Sequence, residues 1–168
     1  MTLSMYAVSV PLFRHRLRAL SGVLEKAEAF ASAQGRDPAA LLAAKLAPDM
    51  LPLTRQVQIA CDQAKGGTAR LAGIEAPKFD DTETSFAELR ARIARTLAFV
   101  ESVPRDAIDG SETRDIVLRF PQREFRFTGV QFLLGWAIPH LLFHCTTAYG
   151  ILRHEGVPLG KSDFIGGG

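Results

Sequence analysis

Two histidines four residues apart, His140 and His144, are the pair best placed for chemistry in this 168-residue sequence. On a helix that spacing stacks both imidazoles on one face, with Cβ atoms roughly 5–6 Å apart, close enough to share a metal such as zinc or nickel. Two ligands do not close a site, so a further donor has to come from another helix. Trp136, Leu141, Leu142 and Phe143 surround the pair and would keep water out. The alternative reading is structural: a histidine in an apolar helix usually satisfies its ring nitrogens on a neighbouring carbonyl or hydroxyl. Pro139 also frees the carbonyl of Gly135, which then needs its own partner.

A segment near residues 53–71 offers the donors. Gln58, Asp62 and Lys65 follow at i, i+4 and i+7, so they line one stripe. That stripe is either the polar wall of a cleft or a solvated face with an Asp–Lys pair worth little to stability. Gln56 is the alternative inward-facing amide, and spacing does not choose between it and Gln58. Tyr149, beyond His144, and Tyr6 could each bring a phenol to a pocket or bury the ring and bond locally. The candidate pocket is therefore Gln56, Gln58, Asp62, His140, His144 and Tyr149. His140 and His144 are the candidate metal ligands.

Other groups carry less. Cys61 and Cys145 form no CxxC pair and sit in apolar patterns, as small buried hydrophobes do. His15 lies amid Arg14, Arg16 and Arg18, which reads as an exposed face, and His154 reads as a cation on a helix C-terminus. There is no Walker loop, no GxGxxG after a strand, no GxSxG, no HExxH and no Cys/His finger.

The elements that must position these residues are helices. Apolar residues recur every three to four positions through Tyr6, Val10, Phe13, Leu17, Leu20, Leu24, Ala27 and Ala31, predicting a first helix over 4–33 with Gly35 as its stop. Asp37-Pro38 opens a short connector helix. A second long helix, capped by Asp49, runs to about Leu71. Ser85 and Glu88 form a capping box for a third, which ends before Pro104. DIVLRF and EFRF alternate in period two across PQR and predict a β-hairpin over 116–127. Either Ile116, Leu118 and Phe120 face the core, or the opposite set does. Thr128 and Gln131 cap a fourth helix that continues to about His154, followed by an extended tail. The whole, residues 1–168, reads as one all-α domain with a small hairpin, a four-helix bundle. At ~1.5 Å per residue the second helix is about 30 Å long. The linker over 74–84, at ~3.3 Å per residue, can retrace that length, so a parallel crossover is permitted.

Composition bounds the partners. A net charge of +2 gives little sequence-independent attraction to nucleic acid or anionic membrane. The apolar run Val130–Phe143 is too short to span a bilayer and holds Pro139 and His140. The N-terminal stretch lacks the early positive charges of a signal peptide, and no disulfide framework is present, so a cytoplasmic protein is expected. The fourth helix is apolar on more than one face, through Phe132, Leu133, Leu134, Trp136, Ile138, Leu141 and Leu142. A homodimer is expected to cover the surplus.

Four segments, SMYAVSVPLF, LAPDMLPLTRQVQIACDQAKGGTARLAG, DTETSFAELRARIA and FHCTTAYGILRHEGVPLGKSDF, resemble an uncharacterised bacterial family within the DinB-like superfamily, over nearly the whole chain. The resemblance implies a four-helix bundle with a crossover between its second and third helices, frequent homodimers, and an activity of the metal-dependent transferase or isomerase type. It also implies a metal held by three histidines, one on the second helix and two on the fourth. His144 matches the first ligand of the fourth helix. The second falls at Ala148, and the second helix carries Gln56 or Gln58 in place of its histidine. A tightly bound metal is therefore not expected. The function expected is a small-molecule pocket between the second and fourth helices, with the metal-dependent transferase or isomerase as the alternative.

Overall fold

The computed structural model describes residues 3–166. Its long helices are α1 (Met5–Ala33), α3 (Leu53–Ala72), α4 (Phe86–Ser102) and α7 (Ile138–His154). Shorter pieces are α2 (Pro38–Ala43), α5 (Arg105–Ile108), α6 (Gly129–Phe132) and α8 (Lys161–Ile165), with strands β1 (Ile116–Phe120) and β2 (Arg123–Phe127). The helix starts follow local chemistry. Ser4 accepts from the Ala7 N–H, Asp37 accepts from the Ala39 N–H, and Ser85 with Glu88 completes a reciprocal capping box. Asp49 does not cap α3, contrary to the sequence expectation. That helix begins at Leu53 with Pro52 at its N-cap, where a missing N–H costs nothing. The tail is not extended throughout either. Asp163 bonds back to the Gly160 N–H and closes the first turn of α8.

Side-chain pairings fix the directions. Arg90 reaches Glu28 while Arg14 and Arg18 reach Glu101, so α1 and α4 run antiparallel. The linker after Gly73 then runs back along α3: Phe79 lies 4.2 Å from the Lys65 ammonium, Glu83 accepts from Gln58, and Asp81 pairs with Arg55. It delivers α4 to the level of the α3 N-terminus, so α3 and α4 are parallel, as the linker length permits. α7 packs antiparallel on α3 and parallel to α1. The core fills the space between the four, with Phe13, Leu17, Leu24, Val57, Ala64, Leu89, Leu141 and Ile151 all fully buried. Gly67 lets α3 come close, since a Cβ there would lie 3.1 Å from the Phe13 ring and 3.4 Å from the Ala137 Cβ.

The hairpin pairs Ile116 with Phe127, Leu118 with Phe125 and Phe120 with Arg123. Ile116 and Leu118 face the bundle at 4% and 5% exposure, which settles which set turns inward. Phe120, in the same set, overhangs the bundle and stays half exposed. The fourth predicted helix is not continuous. Leu133–Ala137 form a π-helical turn in which the Ile138 N–H reaches the Leu133 carbonyl. The widened turn stands ahead of Pro139, whose ring would otherwise strike the carbonyl four residues back.

One fully buried cation holds the crossover. The Arg92 guanidinium, 0% exposed, donates to both Glu83 oxygens, to the Asp80 carbonyl and to Asp62, and pairs with Asp81 at 2.9 Å. Burial works against its charge, but Glu83 and Asp62 hold it protonated, with the pKa above the usual arginine value. Burial likewise pushes Glu83 up, and the hydrogen bonds from Gln58 and Arg92 outweigh it, leaving Glu83 below the ordinary carboxylate range. Removing one partner of such a pair strands the other in a poor solvent. Arg92→Met is expected to cost about 3–5 kcal/mol in guanidinium chloride unfolding. Arg18→Met, which removes an exposed pair with Glu101, is expected to cost about 1 kcal/mol or less. Equal costs for the two would refute this account of the crossover.

Candidate functional site

Gln56 sits in the first turn of α3 and is 2% exposed. Its amide nitrogen donates to the Leu51 carbonyl at 2.9 Å, just before the helix begins. That bond turns the amide oxygen toward α7, where it lies 2.7 Å from Nδ1 of His144. An oxygen that can only accept requires a donor, so the network assigns the proton to Nδ1 and makes His144 a neutral ring with an open acceptor at Nε2. The choice between Gln56 and Gln58 that spacing left open is thereby made by backbone geometry at the helix start.

His144 is half-buried, and burial together with the neighbouring His140 pushes its pKa down to about 4. Burial also lowers His140 below its ordinary value. Both rings are thus neutral at pH 7. The His140 ring lies against Trp136, with centroids 4.3 Å apart and a tilt of 35°. Trp136 in turn is backed by Phe120, Phe125 and Phe127 of the hairpin at 5.2–6.1 Å. On the far side, the Phe143 ring stands at 90° to His144 with centroids 5.2 Å apart. A hydrogen-bond acceptor therefore sits in an aromatic surround, with no charged side chain anywhere from Phe127 to Leu152.

The other sequence candidates lie elsewhere. Gln58 bonds Glu83 and accepts from Arg55, and Asp62 pairs with Arg92 and Lys65, so both face the linker and α4 rather than α7. Gln58 lies two residues and Asp62 six residues beyond Gln56, rotations of about 200° and 240° around the helix, which turn them to another neighbour. Tyr149 packs edge-on against Phe164 of α8 and lines a small cavity with Arg16 and Cys145. Tyr6 caps the far end, beneath the Arg105 guanidinium. Arg16 is buried and donates to the Phe164 and Ile165 carbonyls, so the stretch around His15 is not uniformly exposed. Cys61 and Cys145 are pushed up to about 12 by burial and stay thiols. Phe125 and Phe127 of the hairpin, which stand behind Trp136, are the residues that sequence reasoning missed near the histidines. Their alternation along β2 was the available signal.

The three-histidine metal site implied by the resemblance does not fit these residues. Ala148 is a buried methyl, Gln56 is a neutral amide whose oxygen is spent on His144, and no group of three or more His, Cys, Asp or Glu converges among the described residues.

A family described as Domain of unknown function (DUF1993) matches residues 5–165. Among solved structures, a crystal structure of a DinB family member protein from Shewanella denitrificans is similar over 97% of this chain and 92% of that one, with 46% sequence identity and a TM-score of 0.88. No curated protein matches. No helix of the described residues is long and apolar enough to cross a membrane.

The depressed histidine sets a pH dependence. Unfolded His144 takes up its proton near pH 6.5, whereas folded His144 does so near 4. Between these values the unfolded chain binds the extra proton, so stability falls as pH drops from about 6.5 toward 4, and this loss levels off below. An NMR titration is expected to show His144 neutral, protonated at Nδ1, with a midpoint near 4. A midpoint at or above 6.5 would contradict the burial and the Gln56 bond.

Proposed function

This chain belongs to the DUF1993 family of DinB-like helical bundles, and from that premise we propose that it binds a small apolar ligand at the face shared by α3 and α7, with neutral His144 as the hydrogen-bond acceptor. The observation that carries the reading is the Gln56–His144 bond. It fixes the ring's orientation and tautomer ahead of any ligand, as a preorganised acceptor requires. The aromatic surround supplies apolar area, and a few placed polar groups then fix orientation, the usual composition of a small-molecule site. His140 is the second polar group of the site, while Gln58, Asp62 and Tyr149 are outside it. The transferase or isomerase alternative is the weaker reading, because two of its three metal ligands are replaced and nothing nearby substitutes for them.

We propose further that the partner is a second copy of this chain. The hairpin already covers part of the surplus apolar surface of the fourth helix, through Trp136, and Phe132, Leu133 and Leu141 are buried in the core. Leu134 and Val130 remain 57% and 38% exposed and are what a partner subunit would cover.

Saturation-transfer NMR with a fragment library, run on untagged protein, tests the first proposal. The expected outcome is fragments that bind the wild type and lose about ten-fold or more in affinity in His144→Ala, as befits loss of the oriented acceptor. Binders indifferent to His144→Ala would overturn the site, as would one tightly held zinc or nickel per chain that His144→Ala releases. Light scattering at micromolar concentration tests the second. A dimer that Leu134→Glu converts to monomer is expected, and a wild-type monomer overturns it.

A further inference from the structure

We propose that α8 is a displaceable plug in a binding site for an arylalkyl carboxylate, formed by Arg16, Tyr149 and the apolar side chains of α1 beside them. This site lies between α1 and α7 and is independent of the α3–α7 face. Two arginines among the described residues are buried, Arg16 at 8% exposure and Arg92 at 0%. Arg92 is surrounded by carboxylates, as a buried guanidinium requires. No carboxylate of the described residues pairs with Arg16. Its Nη1 donates to the Phe164 carbonyl at 2.7 Å and its Nη2 to the Ile165 carbonyl at 2.5 Å. Two oxygens, one on each terminal nitrogen, is the arrangement in which a guanidinium fork takes a carboxylate. The backbone of α8 thus stands where a carboxylate fits, with neutral oxygens in place of charged ones.

Phe164 supplies the other half of the pattern. Its ring lies 5.0 Å from the Arg16 guanidinium carbon and edge-on to Tyr149, with centroids 5.8 Å apart. Behind it is a cavity lined by Arg16, Leu20, Val23, Cys145 and Tyr149, with room for about one water molecule. The cavity grows by the volume of a benzyl group when Phe164 leaves. A single residue therefore brings to Arg16 both an aromatic ring and, two carbons away, a carbonyl. 3-Phenylpropanoate has the same ring and the same spacing, and the second oxygen of its carboxylate takes over the bond to Ile165.

α8 is held loosely. None of its five residues is buried. Its other attachments, Lys26 to Asp163 and His15 to the Ile165 carbonyl, are exposed. The chain just ahead of it is pinned: Val157 and Leu159 are buried, and Arg153 donates to the Leu159 carbonyl. Opening pivots at Gly160 and breaks the contacts of little more than one helical turn, which places α8 among the low-stability segments of a fold. Opening by itself strands the Arg16 charge beside an apolar wall, and a carboxylate that carries a ring restores both sets of contacts.

Titration of the full chain with 3-phenylpropanoate and with neutral 3-phenylpropanamide, in wild type and in Asp163→Ala, tests the proposal. Asp163 lies outside the site, and its loss removes the bond to the Gly160 N–H and the pair with Lys26, so it weakens α8 alone. Binding is read from ¹H–¹⁵N spectra. 3-Phenylpropanoate is expected to bind and to move the amides of Ser162, Phe164 and Gly166 to the positions of an unstructured chain. The amide should bind about ten-fold more weakly, since it brings no charge to Arg16. Asp163→Ala should tighten carboxylate binding about five-fold, because a larger share of molecules has the plug out. No binding of 3-phenylpropanoate to either protein overturns the proposal. Binding that leaves the α8 amides in place, or that is indifferent to Asp163→Ala, also overturns it by putting the ligand elsewhere. An amide that binds as tightly as the carboxylate overturns it by removing Arg16 from the site.

Discussion

The buried guanidinium of Arg92 is the interaction on which the arrangement of this bundle depends. A four-helix chain with short loops runs up and down, each helix antiparallel to the next. Here α3 and α4 are parallel, and the thirteen residues between them must lie along the bundle and be held to it. Arg92 does this from within the core, since one planar fork reaches Glu83, Asp62, Asp81 and the Asp80 carbonyl at once. Lysine could not span that set. The acidic residues of the linker gain a second compensation from position. They sit where the N-termini of α3 and α4 come side by side, two like poles that negative charge relieves.

With α3 held by α4 on one side, its other side is free to present Gln56 to α7. The division of labour along α3 follows from helical geometry. Gln56 faces α7 while Gln58 and Asp62 face the linker, so two polar clusters of opposite character share one helix. The first is neutral, aromatic and half open. The second is charged, with Arg92 and Glu83 buried and Asp62 and Asp81 partly exposed around them.

Much of the architecture was legible in the residues. The 3.6-residue periodicity, the Ser85–Glu88 box, the glycine stops and the period-two hairpin all reported local physics that the tertiary structure reinforced. What was not legible depended on distance in the chain. Spacing could not tell Gln56 from Gln58, because the choice was made by the Leu51 carbonyl and by an imidazole 88 residues away. Asp62 belongs with Arg92 rather than His144 because the linker returns along that side of α3, which a length estimate allowed but could not orient. Tyr149 turned out to serve α8, a five-residue helix too short to announce itself by periodicity. Arg16 was read as exposed from its basic neighbours, yet it is buried because α8 offers its last carbonyls as acceptors.

The π turn over Leu133–Ala137 has a consequence for how this chain tolerates insertion and deletion. It holds one residue more than an α-helical turn, and it lies between the hairpin and the two histidines. Losing a single residue there would not break the helix. It would let the turn tighten to α and rotate everything before it by about 100° relative to α7. His140 and His144 would keep their places against α3, but Trp136 would swing from under the hairpin. The π turn thus works as a coupling between two rotational settings, one for the helix that carries the acceptor and one for the aromatic strands behind it. Length changes in this segment alter the backing of the site while leaving its hydrogen bond untouched.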